Sequence, residues 1–347
     1  MKRRLTRAVK FQSLTLQKIS CVFLLFSALT VTSQCFGEWY SDTQAIMGTS
    51  VSVMLWHEDP ETAHAAIDAV MAEMRRIDAT LSPYKEDSEL ARVNREAVNG
   101  PVSISPELAS IIDKALYFSK ISDGAFDISF ASVGRYYDYR HKQQPDNKQR
   151  QSLLPAIDYH LIAFDKSHST IAFKHPQLQI DLGGIAKGYA VDRSVAILQS
   201  RGIEYATLSA GGDSRVMGDK RGKPWLVGIK NPRGRDDQDN VAIVLPLENT
   251  AISTSGDYER YFIDEQSGER VHHILNPRTG TSATGVASVS IIGPQGFDAD
   301  PMSTTVFVMG VEKGLQLVNR LPGFDCVIID SAGNVHYSDG LVPPADQ

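Results

Sequence analysis

Val51, Val53 and Leu55 alternate with smaller or polar neighbours, a period of two that predicts a half-buried strand. The period then changes. Ala63, Ile67, Val70, Met74, Ile77 and Leu81 recur every three or four residues, which predicts an amphipathic helix. Pro106 opens a second helix through Leu108, Ile111, Ile112, Ala115 and Phe118, stopped near Asp123-Gly124. Strand-like runs follow at 177–182, 205–209, 241–245, 286–292 and 326–329, and helical patterns follow Gly184 and Asp300. Strands and helices do not alternate strictly. An α+β fold with mixed or antiparallel sheets and packed helices is therefore expected, not a doubly wound sheet. The polar stretch 140–151 reads as a surface excursion.

The first 35 residues stand apart from this pattern. They carry Lys2, Arg3, Arg4, Arg7, Lys10 and Lys18, no acidic residue, and an apolar run from Ile19 to about Val31. A basic segment before a short apolar run reads as a secretory signal, with an uncleaved anchor as the alternative. Residues 36–347 then form the working domain, on the periplasmic side of a bacterial inner membrane. Cys35 stands where a lipoprotein would carry its lipid, which would anchor the protein to a membrane, although Gln34 is a poor residue before it. Cleavage near Gly37 is the other reading. The whole chain has 35 basic and 41 acidic residues, and removing the leader leaves 29 against 41, a net charge of −12. So acidic a chain argues against general nucleic-acid binding. Only Cys35 and Cys326 remain, too few for a disulfide framework or a cysteine metal site.

Three segments carry candidate chemistry. In Ile180-Asp181-Leu182-Gly183-Gly184-Ile185-Ala186-Lys187-Gly188, two glycines turn the chain from a strand into a helix. Free N–H groups at a helix start suit a diphosphate, and Lys187 adds a point charge. The plainer reading is a strand-turn-helix junction with a solvated lysine. In Asp300-Pro301-Met302-Ser303-Thr304, the spacing of four puts Asp300 and Thr304 on one helix face. Carboxylate, hydroxyl and carbonyl oxygens are ligands that Mg²⁺ accepts; alternatively Asp300 is simply an N-cap. In His272-His273-Ile274-Leu275-Asn276-Pro277, a histidine beside a turn suits a general base. Paired histidines also suggest zinc, but no third ligand stands at a recognisable spacing.

Taken in order, these segments and their neighbours resemble the ApbE family of FAD:protein FMN transferases, from about Met47 to Gly310. The carrying motifs are Met47-Gly48-Thr49; Leu81-Ser82-Pro83-Tyr84 with Asp87-Ser88-Glu89-Leu90 and Asn94; Asp123-Gly124-Ala125-Phe126-Asp127; Asp181 to Gly188; Ser209-Ala210-Gly211-Gly212-Asp213; Ser253 to Tyr258; His273 to Gly280; and Asp300 to Thr304. The resemblance implies an ApbE-like architecture related to the T-fold. It implies that Met47, Tyr84, Ala125, Phe126, Asp127, Asp181, Lys187 and Ile274 line a site for FAD as substrate. Asp300 and Thr304 would give side-chain oxygens to Mg²⁺, with Gly184 and Ser303 adding backbone oxygens, and His273 would be the base for the acceptor hydroxyl. It implies transfer of FMN to a Ser or Thr of acceptor proteins with an FMN-binding domain in membrane redox complexes, releasing AMP. An FAD pyrophosphatase and a non-catalytic flavin-binding protein are the alternatives. Asp213 and Asp257 are expected to serve loop structure more than ligand contact.

Overall fold

The computed structural model describes residues 37–234 and 240–342. The leader and Cys35 lie outside the described residues. The chain opens with strands β1 (Glu38–Ile46) and β2 (Thr49–His57), paired along their length. Met47 and Gly48 join them at φ 55° and 67°. Two positive φ angles in a two-residue connection match the right-handed twist of the strands. Glycine adopts that backbone freely, whereas methionine does so at a cost.

Helix α1 (Pro60–Leu81) follows. Asp59 caps it by accepting the Thr62 N–H at 2.9 Å, and Pro60 takes the first position, where a missing N–H costs nothing. Its buried face is Ala63, Ala66, Ile67, Val70, Met71, Met74, Ile77 and Leu81, the predicted stripe with two additions. Next come α2 (Glu89–Glu96), β3 (Val102–Ser103), α3 (Pro106–Ile121), the single turn α4 (Ala131–Gly134), α5 (Asn147–Leu153), β4 (Ile162–Asp165) and β5 (Thr170–Phe173). The excursion at 140–151 therefore ends in a helix, capped by Asp146 through the Gln149 N–H at 2.7 Å.

The second half holds α6 (Ala186–Ser200), β6 (Ala206–Ala210), β7 (Asp213–Met217), β8 (Trp225–Lys230), β9 (Val241–Leu247), β10 (Ala251–Gly256), β11 (Tyr261–Ile263), β12 (Arg270–His272), β13 (Leu275–Asn276), β14 (Thr281–Ser282) and β15 (Val286–Gly293). It ends with α7 (Gly296–Met309), α8 (Val311–Val318), β16 (Asp325–Asp330) and β17 (Val335–Tyr337). Eight strands make the main sheet in the order β1-β2-β6-β7-β10-β15-β16-β17, and every neighbouring pair is antiparallel.

Alternation along the strands separates two faces. Val51, Val53, Leu55, Leu208, Val289, Ile291, Cys326 and Ile328 join the core under α1, α6 and α7. Ile252, Val327 and Ile329 face the other way, against Ile229, Val227, Ile243 and Leu245 of the β8–β9 hairpin. Each fully buried Leu, Ile or Val contributes about 1.5–3 kcal/mol, so burial on both faces holds the sheet in place.

Two sequence expectations change. Residues 177–182 form no strand: the chain is extended, but its backbone is held by side chains. Asn94 gives Nδ2–H to Ile180 O at 2.9 Å and takes the Ile180 N–H at 2.8 Å, while Ser132 Oγ takes the Gln179 N–H. An amide side chain presents a donor and an acceptor much as a neighbouring strand does. The second change concerns α7, which starts at Gly296, so Asp300 is its fifth residue and not an N-cap. Asp192 caps it instead, taking the Gly296 and Phe297 N–H groups at 3.0 and 2.9 Å.

Helices α6 and α7 cross where Gly188 meets Gly296. A Cβ on Gly188 would stand 2.1 Å from Gly296 O and 2.7 Å from Asp300 Cβ. No rotamer relieves a clash with backbone. Gly188→Ala is expected to cost about 3 kcal/mol through forced separation of the helices. Gly202→Ala, at φ +76° with open space around it, should lose only the ~1–2 kcal/mol of a left-handed backbone. Urea unfolding of the two variants checks the order.

Candidate functional site

The crossing of α6 and α7 brings the acidic and basic candidates together. Asp300 is 2% exposed, and its Oδ2 accepts the Gly188 N–H at 2.9 Å. Lys187 Nζ lies 3.4 Å from both Asp300 oxygens and 2.6 Å from Asp213 Oδ2. Asp213 Oδ1 takes the Ser253 hydroxyl. Register explains this convergence: Asp213 pairs with Ser253, so both side chains point to the helix face of the sheet. Asp213, expected to be structural, thus belongs to the centre of the site.

Burial and the neighbouring Asp213 charge raise the pKa of Asp300, against the opposing pull of Lys187 and the Gly188 N–H. Burial alone would lower the pKa of Lys187, but the two carboxylates outweigh it and the pKa rises. The pocket therefore holds two buried carboxylates against one ammonium.

Hydroxyls complete this wall. Ser303 Oγ donates to Asp300 O at 2.8 Å, and Ser255 Oγ lies 2.8 Å from Ser303 Oγ and 3.3 Å from Thr304 Oγ1. Across from Thr304, a Cβ on Gly184 would come 3.4 Å from Thr304 Oγ1 and 3.2 Å from the Phe126 ring. Gly184 thus leaves a cradle open between its own backbone and Thr304. The surplus carboxylate and the hard oxygens are of the kind a small divalent cation takes, and Asp300, Thr304, Ser303 and the Gly184 carbonyl are the groups that could hold one. Among the described residues no cluster of three or more His, Cys, Asp or Glu could hold a metal alone, so a cation here would need hydroxyl and carbonyl oxygens, with a ligand's own oxygens completing its shell.

The expected anion-binding helix start is altered. At the head of α6 the Gly188 N–H goes to Asp300, and the Ile185 and Ala186 N–H groups go to Leu182 O. Asp300 occupies that N-terminus as its own anion. Lys187 remains the cationic feature of the segment. Asp181 folds over the turn, taking the Gly183 N–H at 2.6 Å; burial raises its pKa, opposed by Arg260 and Lys187.

The adjacent histidines part company. His272 is spent on structure: Nε2 lies 2.9 Å from Ala283 O, Nδ1 takes the Ile274 N–H at 3.3 Å, and the ring is buried. Those partners fix the neutral tautomer with the proton on Nε2. His273 Nδ1 is buried without a hydrogen-bond partner. Burial first, then Arg260, His272 and Lys187, push the His273 pKa down to about 3. Its imidazole is thus neutral around neutral pH.

The remaining predicted residues surround this centre. Phe126 is buried beside Gly184, and Ile274 is buried next to His273. Ala125 is half-buried on the Phe126 turn. Met47 packs half-buried at the β1–β2 turn, and Tyr84 is 83% exposed at the rim, within electrostatic reach of Asp181 and Arg260. Asp127 corrects an expectation. Its Oδ1 takes the Ser129 N–H and hydroxyl, and its Oδ2 takes the Tyr159 N–H at 2.8 Å. The carboxylate is committed to the turn that carries Ala125 and Phe126, so it shapes the pocket from behind. Asp257 is bound by Arg233 through two contacts of 2.8 and 2.6 Å.

Asp213, Ser255 and Arg260 were not assigned to the site on sequence grounds. The first two sat in recognisable motifs; only sheet register shows that they point inward. Arg260 Nη2 donates to Gly48 O at 3.1 Å, and no sequence signal marked it.

An antiparallel α+β body with a buried acid–lysine cluster, neighbouring hydroxyls and a histidine without a protein partner defines the class of protein by fold and candidate site. The chain belongs to the ApbE family, whose profile matches residues 47–328. It is 31% identical over 351 residues to an FAD:protein FMN transferase of Treponema pallidum, covering 94% of this chain and 96% of the relative. The corresponding Escherichia coli K12 protein is 30% identical over 283 residues, covering 79% of each. The ApbE protein of Thermotoga maritima superposes with a TM-score of 0.79 at 35% identity, over 87% of this chain and 98% of that one. The flavin transferase ApbE of Vibrio cholerae gives 0.76 at 25% identity with the same coverage.

The depressed His273 pKa has a consequence for stability. Between pH 6.5 and about 3 the unfolded histidine binds a proton that the folded one refuses, so folding weakens as pH falls through that window. His273→Gln should flatten this acid loss. His272, lowered by burial, leaves a residual slope of the same sign. Denaturant unfolding at neutral and mildly acidic pH reads the difference; equal slopes in both proteins would contradict the assignment.

Proposed function

We propose that this chain is a magnesium-dependent FAD:protein FMN transferase, moving FMN from FAD to a Ser or Thr hydroxyl of an acceptor protein and releasing AMP. The observation that carries the reading is the juxtaposition at the α6–α7 crossing: Asp300, Lys187 and Asp213 in one buried cluster, with Thr304 facing the open Gly184 backbone. The names of the relatives point the same way.

Asp300, Thr304, Ser303 and Gly184 would hold Mg²⁺, which when bound neutralises the charge of a diphosphate. Lys187 supplies a fixed ammonium to the same anion. Phe126 and Ile274 exclude water beside the reacting groups, and the exposed Tyr84 ring offers a flat surface to the flavin. His273 accepts the proton of the acceptor hydroxyl. That oxygen forms a bond to the FMN phosphorus while the bond from phosphorus to the bridging oxygen breaks, and AMP leaves with the bridging oxygen. Burial first and the nearby cations second keep the ring neutral, which leaves its lone pair unprotonated but weakens it as a base in the free protein. The diphosphate, by pairing with those cations, strengthens it as a base.

The leader supports a location outside the cytoplasm, with acceptors that carry FMN-binding domains in membrane redox complexes. Among the described residues no helix is long and apolar enough to cross a membrane, so attachment would rest on the leader or on lipid at Cys35.

Intact mass of a candidate acceptor domain co-expressed with this chain should rise by one FMN less one water. His273→Ala should lower transfer about 10²–10⁴-fold while FAD still binds. Asp300→Ala should abolish transfer, and a parallel FAD-binding measurement separates lost chemistry from lost binding. Stoichiometric FMN release with no mass gain on any acceptor would sink the transferase reading in favour of hydrolysis, and tight FAD binding without AMP would leave a storage protein.

A further inference from the structure

We propose that Arg260 is a further substrate-binding residue, its guanidinium holding the non-bridging oxygens of the FMN-side phosphate beside His273. This rests on the reading of FAD as substrate.

The ribbon of β11 and β12 sets the position. Tyr261 pairs with His272 at the end of the ribbon, and one step beyond it Arg260 faces His273, whose N–H donates to Arg260 O at 3.1 Å. Directly opposed residues of an antiparallel ribbon put their side chains on the same face. The arginine therefore emerges on the same side as the imidazole with the unpartnered nitrogen. From there it reaches across to the β1–β2 turn, where Nη2 donates to Gly48 O. Met47 is the other residue of that turn.

Its remaining donors are uncommitted. A guanidinium carries five N–H groups in a planar fork that fits two phosphate oxygens at once. Gly48 O takes one, and no carboxylate among the described residues lies within ion-pair distance of Arg260. By contrast, Arg233 and Arg278 each close on an aspartate. Asp181 and His273 both feel Arg260 and Lys187. Two cations thus act on His273, one in the buried acid cluster and one exposed.

In-line transfer decides which phosphate Arg260 meets. The base lies with the entering hydroxyl, opposite the departing AMP. A side chain on the same face as the base reaches the phosphorus under attack, not the leaving phosphate. The competing role is structural: Arg260 would only pin the β1–β2 turn through Gly48.

Arg260→Gln and Arg260→Lys in the full chain separate these roles, with FMN, riboflavin and AMP as binding probes. Riboflavin lacks the phosphate, so it isolates the contact. Arg260→Gln should weaken FMN at least tenfold and leave riboflavin and AMP unchanged, with Arg260→Lys in between. Flavin transfer should fall in the same order, and its acid limb should move to higher pH as one cation near His273 is lost. Equal weakening of FMN and riboflavin together with a lower melting temperature would make the role structural and overturn the proposal. Weakening of AMP instead of FMN would place the arginine on the leaving side and also overturn it. A wild-type chain that binds neither FMN nor FAD would fail the functional reading itself, whereas unaltered FMN affinity in Arg260→Gln would sink only this assignment.

Discussion

The hydrogen bond from the Gly188 N–H to the Asp300 carboxylate is the constraint on which the site depends. It forms because two helices approach until their backbones touch, and they can do so only with glycine on both sides of the crossing. The bond caps one helix with a side chain of the other. It also fixes a buried negative charge at the position where Lys187, Asp213 and the hydroxyls of Ser303 and Thr304 converge. An uncompensated carboxylate at this depth would take up a proton. Lys187 and the Gly188 N–H oppose that uptake without cancelling it, and the cost of burying the pair is met by the strands and helices packed around them. A single contact thus serves both the packing of the helices and the chemistry of the pocket.

The sheet contributes direction. Main-sheet strands put alternate residues on the helix face, and β10 uses this to present Ser253 and Ser255 beneath α7 while Ile252 and Thr254 face the hairpin. A shift of one residue along β7 in its pairing with β10 would turn Asp213 away from Lys187 and put Ser214 in its place. Register is therefore part of the chemistry here. The β8–β9 hairpin, which lies on the far face, helps to hold it.

Much of this was legible in the chain. The stripes of α1 and α3 and the alternation of β2 follow directly from periodicity, because their burial is set by neighbours in sequence. The segments around Lys187, His273 and Asp300 were also found, since each carries chemistry in a compact motif. What escaped was whatever depends on a partner far along the chain. Residues 177–182 look like a strand because Leu178, Ile180 and Leu182 alternate with polar residues, yet the hydrogen bonds of Gln179 and Ile180 go to Ser132 and Asn94, more than 40 positions away. Asp127 looks like a ligand residue, yet Ser129 and Tyr159 consume its oxygens. Asp213 looks like a loop residue until the sheet points it inward. Arg260 has no motif at all; only its pairing with His273 across a short ribbon gives it meaning.

The two histidines show how closely placement decides role. They share a segment, and burial lowers both pKa values. Alternation along an extended chain sends their rings to opposite sides. His272 meets the Ala283 carbonyl and the Ile274 N–H, which fill both ring nitrogens and leave nothing to exchange. His273 meets cations, and its buried Nδ1 takes no protein hydrogen bond. A buried polar atom without a partner costs about 1–3 kcal/mol. The fold tolerates that cost at His273 and at no other histidine among its described residues. Placement, and not residue type, thus commits one ring to the fold and leaves the other without a protein partner.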